Sequence, residues 1–188
     1  MGRPREYDRE EVLQRAMTLF WKKGYEGTHL AELVEETGLN RFSLYKEFGG
    51  KEGLFSEALD RYMLQLQPLS SLLAREPMGL GNVRDYFEGV VDARFIHGCF
   101  IVNTLPERHL VARSTFKKIR DFVRNAEGLF RSNLEAAQKA GEIAADTDVE
   151  ALAKALFAFD IGFISYGILS VTRDEKRRMI SLIDRWLV

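Results

Sequence analysis

This chain of 188 residues has a single cysteine, Cys99, and no long uninterrupted apolar run. One cysteine excludes an internal disulfide framework and favours a reducing compartment. The first ten residues are charged and lack an apolar core, so we expect no signal peptide. The longest apolar stretch, 155–171, is interrupted by Asp160 and two serines, which favours a buried helix over a membrane span. We therefore expect a cytoplasmic protein.

An excess of basic charge is also lacking. The formal net charge is −1, and residues 1–51 contain nine basic and nine acidic side chains. The chain therefore has no global field that attracts nucleic acid, and any contact with phosphate depends on where single cations lie. The length permits one medium domain or two small ones, with a sizeable core.

Residues that could support catalysis or hold a metal are few. The three histidines and Cys99 do not have the paired spacing of a metal site. A nucleophile–base pair of Cys99 with His97 or His109 lacks a third residue to orient it, and there is no glycine-rich nucleotide loop. The sequence thus argues against an enzyme and implies no metal and no cofactor.

The most informative segment begins at Thr28 and has the pattern of a helix-turn-helix. Thr28 suits the N-cap of a first helix, and Gly38 suits its C-terminus because glycine takes the left-handed conformation required there. Asn40 then caps a second short helix with Leu44 and Phe48 on its apolar side. Such a motif places its second helix in the major groove of DNA.

The remaining face of the second helix carries basic, aromatic and hydroxyl groups. Arginine and lysine read guanine edges, and an aromatic ring lies against a thymine methyl group. The alternative is that the aromatics are core residues and the charges form a solvated face. The candidate base and phosphate contacts at the cap and on this helix are Asn40, Arg41, Phe42, Ser43, Tyr45 and Lys46.

A short basic arm precedes the first helix and is a further candidate for DNA contact. Its Arg3 and Arg5 belong to a segment too short to fold alone, and arginines of such arms enter narrow minor grooves. The alternative is a disordered tail that only aids solubility.

These features resemble the DNA-binding domain of the tetracycline-repressor (TetR) family of bacterial transcription regulators. The similarity covers roughly the first third of the chain at the spacing typical of the family. Two departures, Phe42 and Glu47, bear on base specificity. The residues that carry the resemblance are Phe20, 24–28, Ala31, Leu33, Val34, 37–39, 43–45, Phe48, Lys51, Glu52, Leu54 and Phe55.

The resemblance implies an all-α homodimer. We expect a three-helix domain with the helix-turn-helix and its arm over residues 1–50. A linking helix then leads into a helical-bundle domain for effector binding and dimerisation over residues 51–188. The resemblance also implies that Thr28, Tyr45 and Lys51 contact phosphates. Lys51 opens the next helix, whose N-terminal amides attract a phosphate oxygen.

Helical spacing of apolar residues continues through the second half of the chain. A cluster of prolines and glycines predicts a loop over 68–82. The helices expected beyond it are 83–97, 104–111, 114–140, 149–171 and 174–187. Aromatic residues with a few polar groups are typical of a small-ligand pocket, although plain core packing is the alternative for each aromatic. The candidate effector-binding residues are Phe87, Phe95, Phe100, Asn103, His109, Phe116, Phe159 and Phe163.

The predicted helix over 149–171 is apolar on nearly every side, and such a helix must be buried all round. Since a small domain covers only one side, we expect a two-fold symmetric partner to cover the other through a four-helix interface. A monomer with a self-contained core is the alternative. The residues expected at this interface are Phe157, Ile161, Ile164, Ile168, Ile180, Ile183, Trp186 and Leu187.

Together these features predict a ligand-responsive transcription regulator, most simply a repressor. A dimer would read a palindromic operator with two recognition helices about 34–36 Å apart, and a small apolar effector would release it. The alternative is an architectural or protein-regulated DNA-binding factor without an effector. Cys99 is a candidate redox residue, with an inert core thiol as the alternative.

Overall fold

A computed structural model of the chain describes residues 7–93, 95–169 and 171–187. The described residues contain no β-strand, only an isolated bridge between Ile96 and Gly98, so the all-α prediction is confirmed. The helices, in chain order, are α1 (Arg9–Lys23), α2 (Leu30–Thr37), α3 (Arg41–Phe48), α4 (Lys51–Gln65), α5 (Gln67–Leu73), α6 (Leu80–Asp92), α7 (Phe100–Thr104), α8 (Arg113–Lys139), α9 (Val149–Tyr166), α10 (Arg173–Ile180) and α11 (Ile183–Trp186).

These helices form two compact units. Unit 1 comprises Met1–Gln65 and Phe100–Ile119, and unit 2 comprises Leu66–Cys99 and Arg120–Val188. Helix α8 contributes its N-terminal residues to unit 1 and the rest to unit 2. The domain boundary expected after residue 50 stays a prediction, and α4, which follows it, lies in unit 1.

Phe55 of α4 lies at the centre of the core of unit 1. Its ring centroid is 5.0 Å from those of Phe20 and Tyr25 and 5.5 Å from that of Phe100. All three contacts are edge-to-face, the arrangement that aromatic quadrupoles favour. Through this one ring, α1, α4 and α7 share a core.

A buried asparagine organises the loop between α5 and α6 in unit 2. Asn133 of α8 is fully buried, and its Oδ1 accepts hydrogen bonds from Gly79 N at 2.9 Å and Asn82 Nδ2 at 3.0 Å. Its Nδ2 donates to Leu73 O at 2.7 Å and Leu129 O at 2.9 Å. The side chain therefore satisfies backbone groups at the two ends of the loop, Leu73 O and Gly79 N.

The loop expected over 68–82 is shorter than predicted. Residues Gln67–Leu73 form α5 and α6 begins at Leu80, so only residues 74–79 connect them. Pro68 lies in the first turn of α5. Proline is tolerated there because the N–H groups of a first turn have no hydrogen-bond acceptor within the helix. The cluster of prolines and glycines therefore marks helix ends rather than one long loop.

Four further helix predictions need correction. The helix expected over 83–97 begins earlier and ends earlier, because α6 spans Leu80–Asp92. The helix expected over 104–111 is wrong: α7 ends at Thr104, before Pro106, because a residue that precedes proline disfavours helical geometry. The helix expected over 149–171 ends at Tyr166 and is followed by a 3₁₀ turn, Gly167–Leu169. The last predicted helix is divided into α10 and α11.

By length and composition, the segment Val149–Leu169 is apolar enough to cross a membrane, with a mean hydropathy of 1.6. The core helix of a globular protein has the same composition. Within unit 2, Leu156, Asp160 and Phe163 are buried at intervals of four and three residues, the spacing of one helix face. These features support the interpretation of α9 as a core helix.

The network around Asn133 generates a stability prediction. Replacement Asn133→Ala leaves buried backbone groups of Leu73 and Gly79 unpaired, so we expect the free energy of unfolding to fall by about 2–3 kcal/mol. Urea denaturation followed by circular dichroism measures this change. Asn125→Ala, at an exposed position of the same helix, is the control and should shift stability by less than about 0.5 kcal/mol. Equal effects of the two substitutions would contradict the proposed role of the network.

Candidate functional site

The turn between α2 and α3 has the predicted geometry. Gly38 is left-handed with φ of 70°, and its N–H donates to Val34 O at 3.0 Å, which closes α2. Leu39 follows as a buried anchor, 2% exposed. Asn40 Oδ1 then accepts from Ser43 N at 2.8 Å, which opens α3. The predictions of Gly38 as C-cap and Asn40 as N-cap are confirmed.

The start of α2 differs from the sequence prediction by one residue. His29, not Thr28, is the N-cap, and its N–H donates to Glu32 Oε2 at 3.0 Å. Thr28 is fully buried, and its hydroxyl donates to Gly24 O at 2.7 Å. The side chain expected to contact phosphate thus stabilises the connection between α1 and α2.

Helix α3 has two distinct faces. Leu44 and Phe48 are buried, whereas Phe42 is 76% and Tyr45 52% exposed. Arg41 and Lys46 are exposed beside them, and Ser43 is half-buried. The alternative that Phe42 and Tyr45 are core residues is therefore wrong, since both are exposed in unit 1. Two large aromatic side chains that face solvent on one short helix indicate a binding surface.

The orientation of α3 depends on a close approach to α4. A Cβ atom on Gly53 would lie 1.6 Å from the carbonyl oxygen of Phe48. That distance is a severe steric clash, so only glycine, which has no Cβ, fits at this position. The first turn of α4 therefore packs directly on the end of α3. This contact fixes the angle at which the exposed face of α3 is presented.

Arg9 of α1 supports the other side of the same junction. Its guanidinium carbon lies 5.0 Å from the centroid of the Phe48 ring, and Arg9 also forms an ion pair with Glu57 of α4. A cation over an aromatic face contributes about 0.5–1 kcal/mol at exposed sites. Sequence reasoning missed Arg9 because its partners lie far along the chain.

Lys51, the expected phosphate contact at the start of α4, stands over an aromatic ring. Its ammonium lies 4.4 Å from the centroid of Tyr25. Burial lowers the pKa of Lys51, while the negative charges of Glu107 and Glu26 act in the opposite direction. The amine therefore sits at the surface of unit 1 in a partly desolvated position, where a phosphate would interact with it more strongly than in bulk water.

Glu107 is a supporting residue that the sequence did not reveal. Its carboxylate accepts hydrogen bonds from Tyr25 N at 2.7 Å and Glu26 N at 3.1 Å. In the sequence, Glu107 is separated from these two residues by 82 and 81 positions, respectively. No local pattern predicts such a contact. Glu107 fixes the turn that follows α1, and thereby the ring of Tyr25 beneath Lys51.

The two arginines of the N-terminal arm, Arg3 and Arg5, lie outside the described residues. Their contact with the minor groove stays a prediction.

The expected effector residues divide between the two units. Phe100, Asn103, His109 and Phe116 belong to unit 1, and Phe87, Phe95, Phe159 and Phe163 belong to unit 2. In unit 1, Phe100 is a core residue whose ring contacts Phe55 and Tyr62, and His109 is exposed.

Unit 2 brings three of the predicted aromatics together. The ring centroid of Phe159 lies 5.8 Å from that of Phe87 and 5.7 Å from that of Phe163. Tyr86 and Phe130 complete the group: their ring centroids lie 5.4 Å and 5.8 Å, respectively, from that of Phe87. We call these five residues the aromatic cluster. Their role in effector binding stays a prediction.

Asp160 is a buried carboxyl group beside this cluster. It is 3% exposed, and Tyr86 Oη donates to its Oδ2 at 3.0 Å. Burial raises its pKa to about 7, and the hydrogen bond from Tyr86 opposes that shift. No described residue donates to Oδ1. Sequence reasoning noted Asp160 only as an interruption of an apolar run.

A surface cleft of about 270 Å³ lies between α6 and the last two helices of unit 2. Its apolar floor includes Phe87 and Ile183. Two ion pairs lie along its rim, Arg84 with Asp184 at 2.7 Å and Arg177 with Glu88 at 3.3 Å. Of the predicted effector residues, Phe87 is the one that lines this cleft.

The expected interface residues differ in their exposure within a single protomer. Ile161 is half-buried, and Ile168 and Trp186 are 49% and 48% exposed. Dimer contact stays a prediction for the whole set, and the exposed members are the ones available to a partner. The remaining five already contribute to the core of unit 2: Phe157, Ile164, Ile180, Ile183 and Leu187.

Cys99, the candidate redox residue, is 7% exposed and immediately precedes α7. Thiol chemistry requires access to solvent as well as ionisation, so this position favours the inert alternative. Among the described residues there is no group of three or more side chains that could hold a metal ion.

Comparisons with known proteins agree with the helix-turn-helix and extend beyond it. Residues 12–58 match the family described as bacterial regulatory proteins, tetR family, and residues 80–183 match the tetracyclin repressor-like C-terminal domain. The HTH-type transcriptional repressor ComR of Escherichia coli is 36% identical over 62% of this chain, and the alignment spans 65% of ComR. YezE, an uncharacterised HTH-type transcriptional regulator of Bacillus subtilis, is 32% identical over 83% of this chain and 84% of its own length.

A solved structure is similar over the whole length. It contains a cysteine mutant of the TetR family transcriptional regulator CifR complexed with 26-bp double-strand operator DNA. The two chains are 32% identical, with a TM-score of 0.84 and coverage of 100% of each.

The buried carboxyl group of Asp160 predicts a pH dependence. Its pKa of about 7 in the folded protein exceeds the unfolded value, so the folded state retains a proton that the unfolded state has lost. The contribution of this group to stability therefore falls as the pH rises from about 4 to about 7. Relative to wild type, Asp160→Asn should gain about 2 kcal/mol of unfolding free energy between about pH 5 and about pH 8.

Urea denaturation at both pH values measures this difference, and wild type provides the reference for all other titrating groups. Asp146→Asn, in an exposed loop of the same unit, should show no such pH-dependent gain. A constant difference between Asp160→Asn and wild type would mean that Asp160 ionises normally.

Proposed function

We propose that this chain, which belongs to the TetR family of bacterial regulatory proteins, is a cytoplasmic transcriptional repressor that binds a palindromic DNA operator as a dimer. The observation that carries this proposal is the solvent-exposed face of α3, with Arg41, Phe42, Tyr45 and Lys46. The operator complex of CifR, similar over the whole chain, supports it. So does the repressor ComR, within the part of its length that aligns.

Each side chain of this face has a distinct role in the proposed complex. Arg41 or Lys46 would donate hydrogen bonds to guanine O6 and N7, and the ring of Phe42 would contact a thymine methyl group. Tyr45 and Lys51 would hold the phosphate backbone, which fixes the register of α3 in the groove. Because the chain has no net basic charge, specific contacts rather than a general field carry the affinity.

Dimerisation rests on an apolar stripe that α9 leaves exposed. Ala151, Ala155, Ala158, Gly162 and Tyr166 are exposed at intervals of three and four residues, the spacing of one helix face. Further large apolar side chains are exposed on the segments that follow: Ile168, Leu169, Leu182 and Trp186. A second copy of the same surface would bury this stripe and place two recognition helices on one face of DNA.

Effector control would act through unit 2. A small molecule with apolar surface, bound at the aromatic cluster, would favour a spacing of the two recognition helices that does not fit the operator. Repression would then be relieved by a shift in population rather than by competition for DNA. The many aromatic side chains of unit 2 support this assignment because small-ligand sites are mostly apolar with few polar groups.

The DNA-binding proposal is tested with a duplex from the region upstream of the protein's own gene. We expect Arg41→Ala and Tyr45→Ala each to weaken binding by about 1–3 kcal/mol, roughly tenfold to a hundredfold, in fluorescence anisotropy. Arg124→Ala, at an exposed position of α8, removes the same charge away from α3 and should leave affinity unchanged. Measurement at two salt concentrations separates phosphate contacts from base contacts.

Tight binding by all three variants would remove α3 from the mechanism. If the wild type does not bind this duplex, a selection from genomic fragments supplies another operator. A selection that enriches no fragment would overturn the repressor assignment.

The dimer proposal predicts the effect of a bulky charge on α9. A Cβ atom on Gly162 would meet no atom within 4 Å in the protomer, so Gly162→Arg should fold normally. In a dimer the same arginine would lie in a close, apolar contact, and we expect the dissociation constant to rise at least about a hundredfold because a charge is buried without a partner. Sedimentation velocity measures the change, with Asn125→Arg on the exposed face of α8 as control. An unchanged dimer would place the interface elsewhere.

A further inference from the structure

Asp160 is only partly satisfied by its surroundings. An ionised carboxylate offers about four acceptor positions, and one is used here, by Tyr86 Oη at 3.0 Å from Oδ2. Its Oδ1 is inaccessible to solvent and has no hydrogen-bond partner among the described residues. Buried polar atoms are nearly always paired, so an unpaired carboxylate oxygen requires an explanation.

A structural ion pair does not provide that explanation. Three basic side chains of α6, α9 and α10 are engaged with other carboxylates: Arg84 with Asp184, Arg177 with Glu88 and Lys154 with Glu150. Burial, rather than a neighbouring charge, dominates the electrostatics of Asp160. Among the described residues, no cation forms an ion pair with Asp160, so the protein maintains a costly acidic group in its interior.

The walls beside Asp160 are aromatic. Tyr86, which holds Oδ2, lies with its ring 5.2 Å from Phe130 and 5.4 Å from Phe87, and Phe159 is the neighbour of Asp160 in the chain. Aromatic faces attract organic cations, most strongly where water is excluded. Tyr86 and Phe159 are themselves only half-buried, so the aromatic walls beside Asp160 extend to the protein surface.

From this geometry we infer that Asp160 is the anchor of the effector site and that the effector is an organic ammonium ion. Its N–H groups would donate to Oδ1, and its apolar part would lie against the aromatic cluster. This inference rests on the proposed function and makes it more specific. A neutral apolar ligand would leave Oδ1 unpaired, and an anionic ligand would be repelled.

Three probes of the same size and different charge test the inference. Benzylammonium carries the proposed donor, benzyl alcohol is neutral and benzoate is anionic. We expect isothermal titration calorimetry of wild-type protein to show binding of benzylammonium at least about tenfold tighter than that of the other two probes. Because the carboxyl group is partly protonated near neutral pH, binding of the cation should also release a fraction of a proton, detected by titration in buffers of different ionisation enthalpy.

Asp160→Asn, which preserves the shape of the side chain, should abolish both the preference for the cation and the proton release. Asp146→Asn, in an exposed loop, should preserve both. The three-probe comparison on wild type needs no variant, so it decides the matter even if Asp160→Asn folds poorly. Equal affinity for the three probes, or no binding of benzylammonium at all, overturns the inference.

The same protein samples are assayed for binding to the operator fragment. A protein that binds DNA through α3 but does not discriminate among the probes retains the repressor assignment and loses the ammonium site. A protein that binds benzylammonium through Asp160 but no DNA fragment loses the repressor assignment instead.

Discussion

Burial of Leu44 and Phe48 is the constraint on which the DNA-facing surface of this protein depends. Helix α3 has eight residues, and a helix of that length is not stable alone in water. Its exposed aromatic and basic side chains are therefore ordered only because the opposite face is held by unit 1. Gly53 allows α4 to approach, and Arg9 covers the ring of Phe48. The surface that would read DNA is a consequence of packing behind it.

Charge in this protein acts by placement rather than by amount. With a net charge of −1, the chain has no general attraction for phosphate, yet its cations are held at defined positions. Lys51 stands over the ring of Tyr25, and Glu107 fixes the turn that carries that ring. A partly desolvated cation interacts more strongly with an anion than a fully hydrated one. Local geometry thus replaces the basic field that many DNA-binding proteins have.

Unit 2 shows a different balance between apolar packing and polar groups. Two of its buried polar side chains illustrate the contrast: Asn133 uses its amide oxygen and nitrogen fully, whereas Asp160 leaves one oxygen unpaired. Asn133 has the pattern of a structural residue, because it pairs backbone groups at the two ends of the loop between α5 and α6. Asp160 lowers the stability of the folded state and, among the described residues, stabilises no neighbouring backbone group in exchange, which is typical of ligand-binding groups.

The sequence by itself determined the local features. Cap residues such as Asn40 and Gly38 act within four positions of themselves, so the helix-turn-helix and the all-α class could be predicted from residue type and spacing. Helix ends near prolines were less predictable, because Pro68 is tolerated in a first turn while Pro106 follows a helix end.

Only the tertiary structure decided which apolar residues are core and which polar residues cooperate. Glu107 contacts Tyr25 across 82 positions, and Asp160 is joined to Tyr86 across 74. Phe42 and Tyr45 are exposed, while Phe157 and Ile183 are buried, although all four are apolar residues on helices. Periodicity marks an apolar side of a helix but not what covers it, because burial depends on partners brought together by folding.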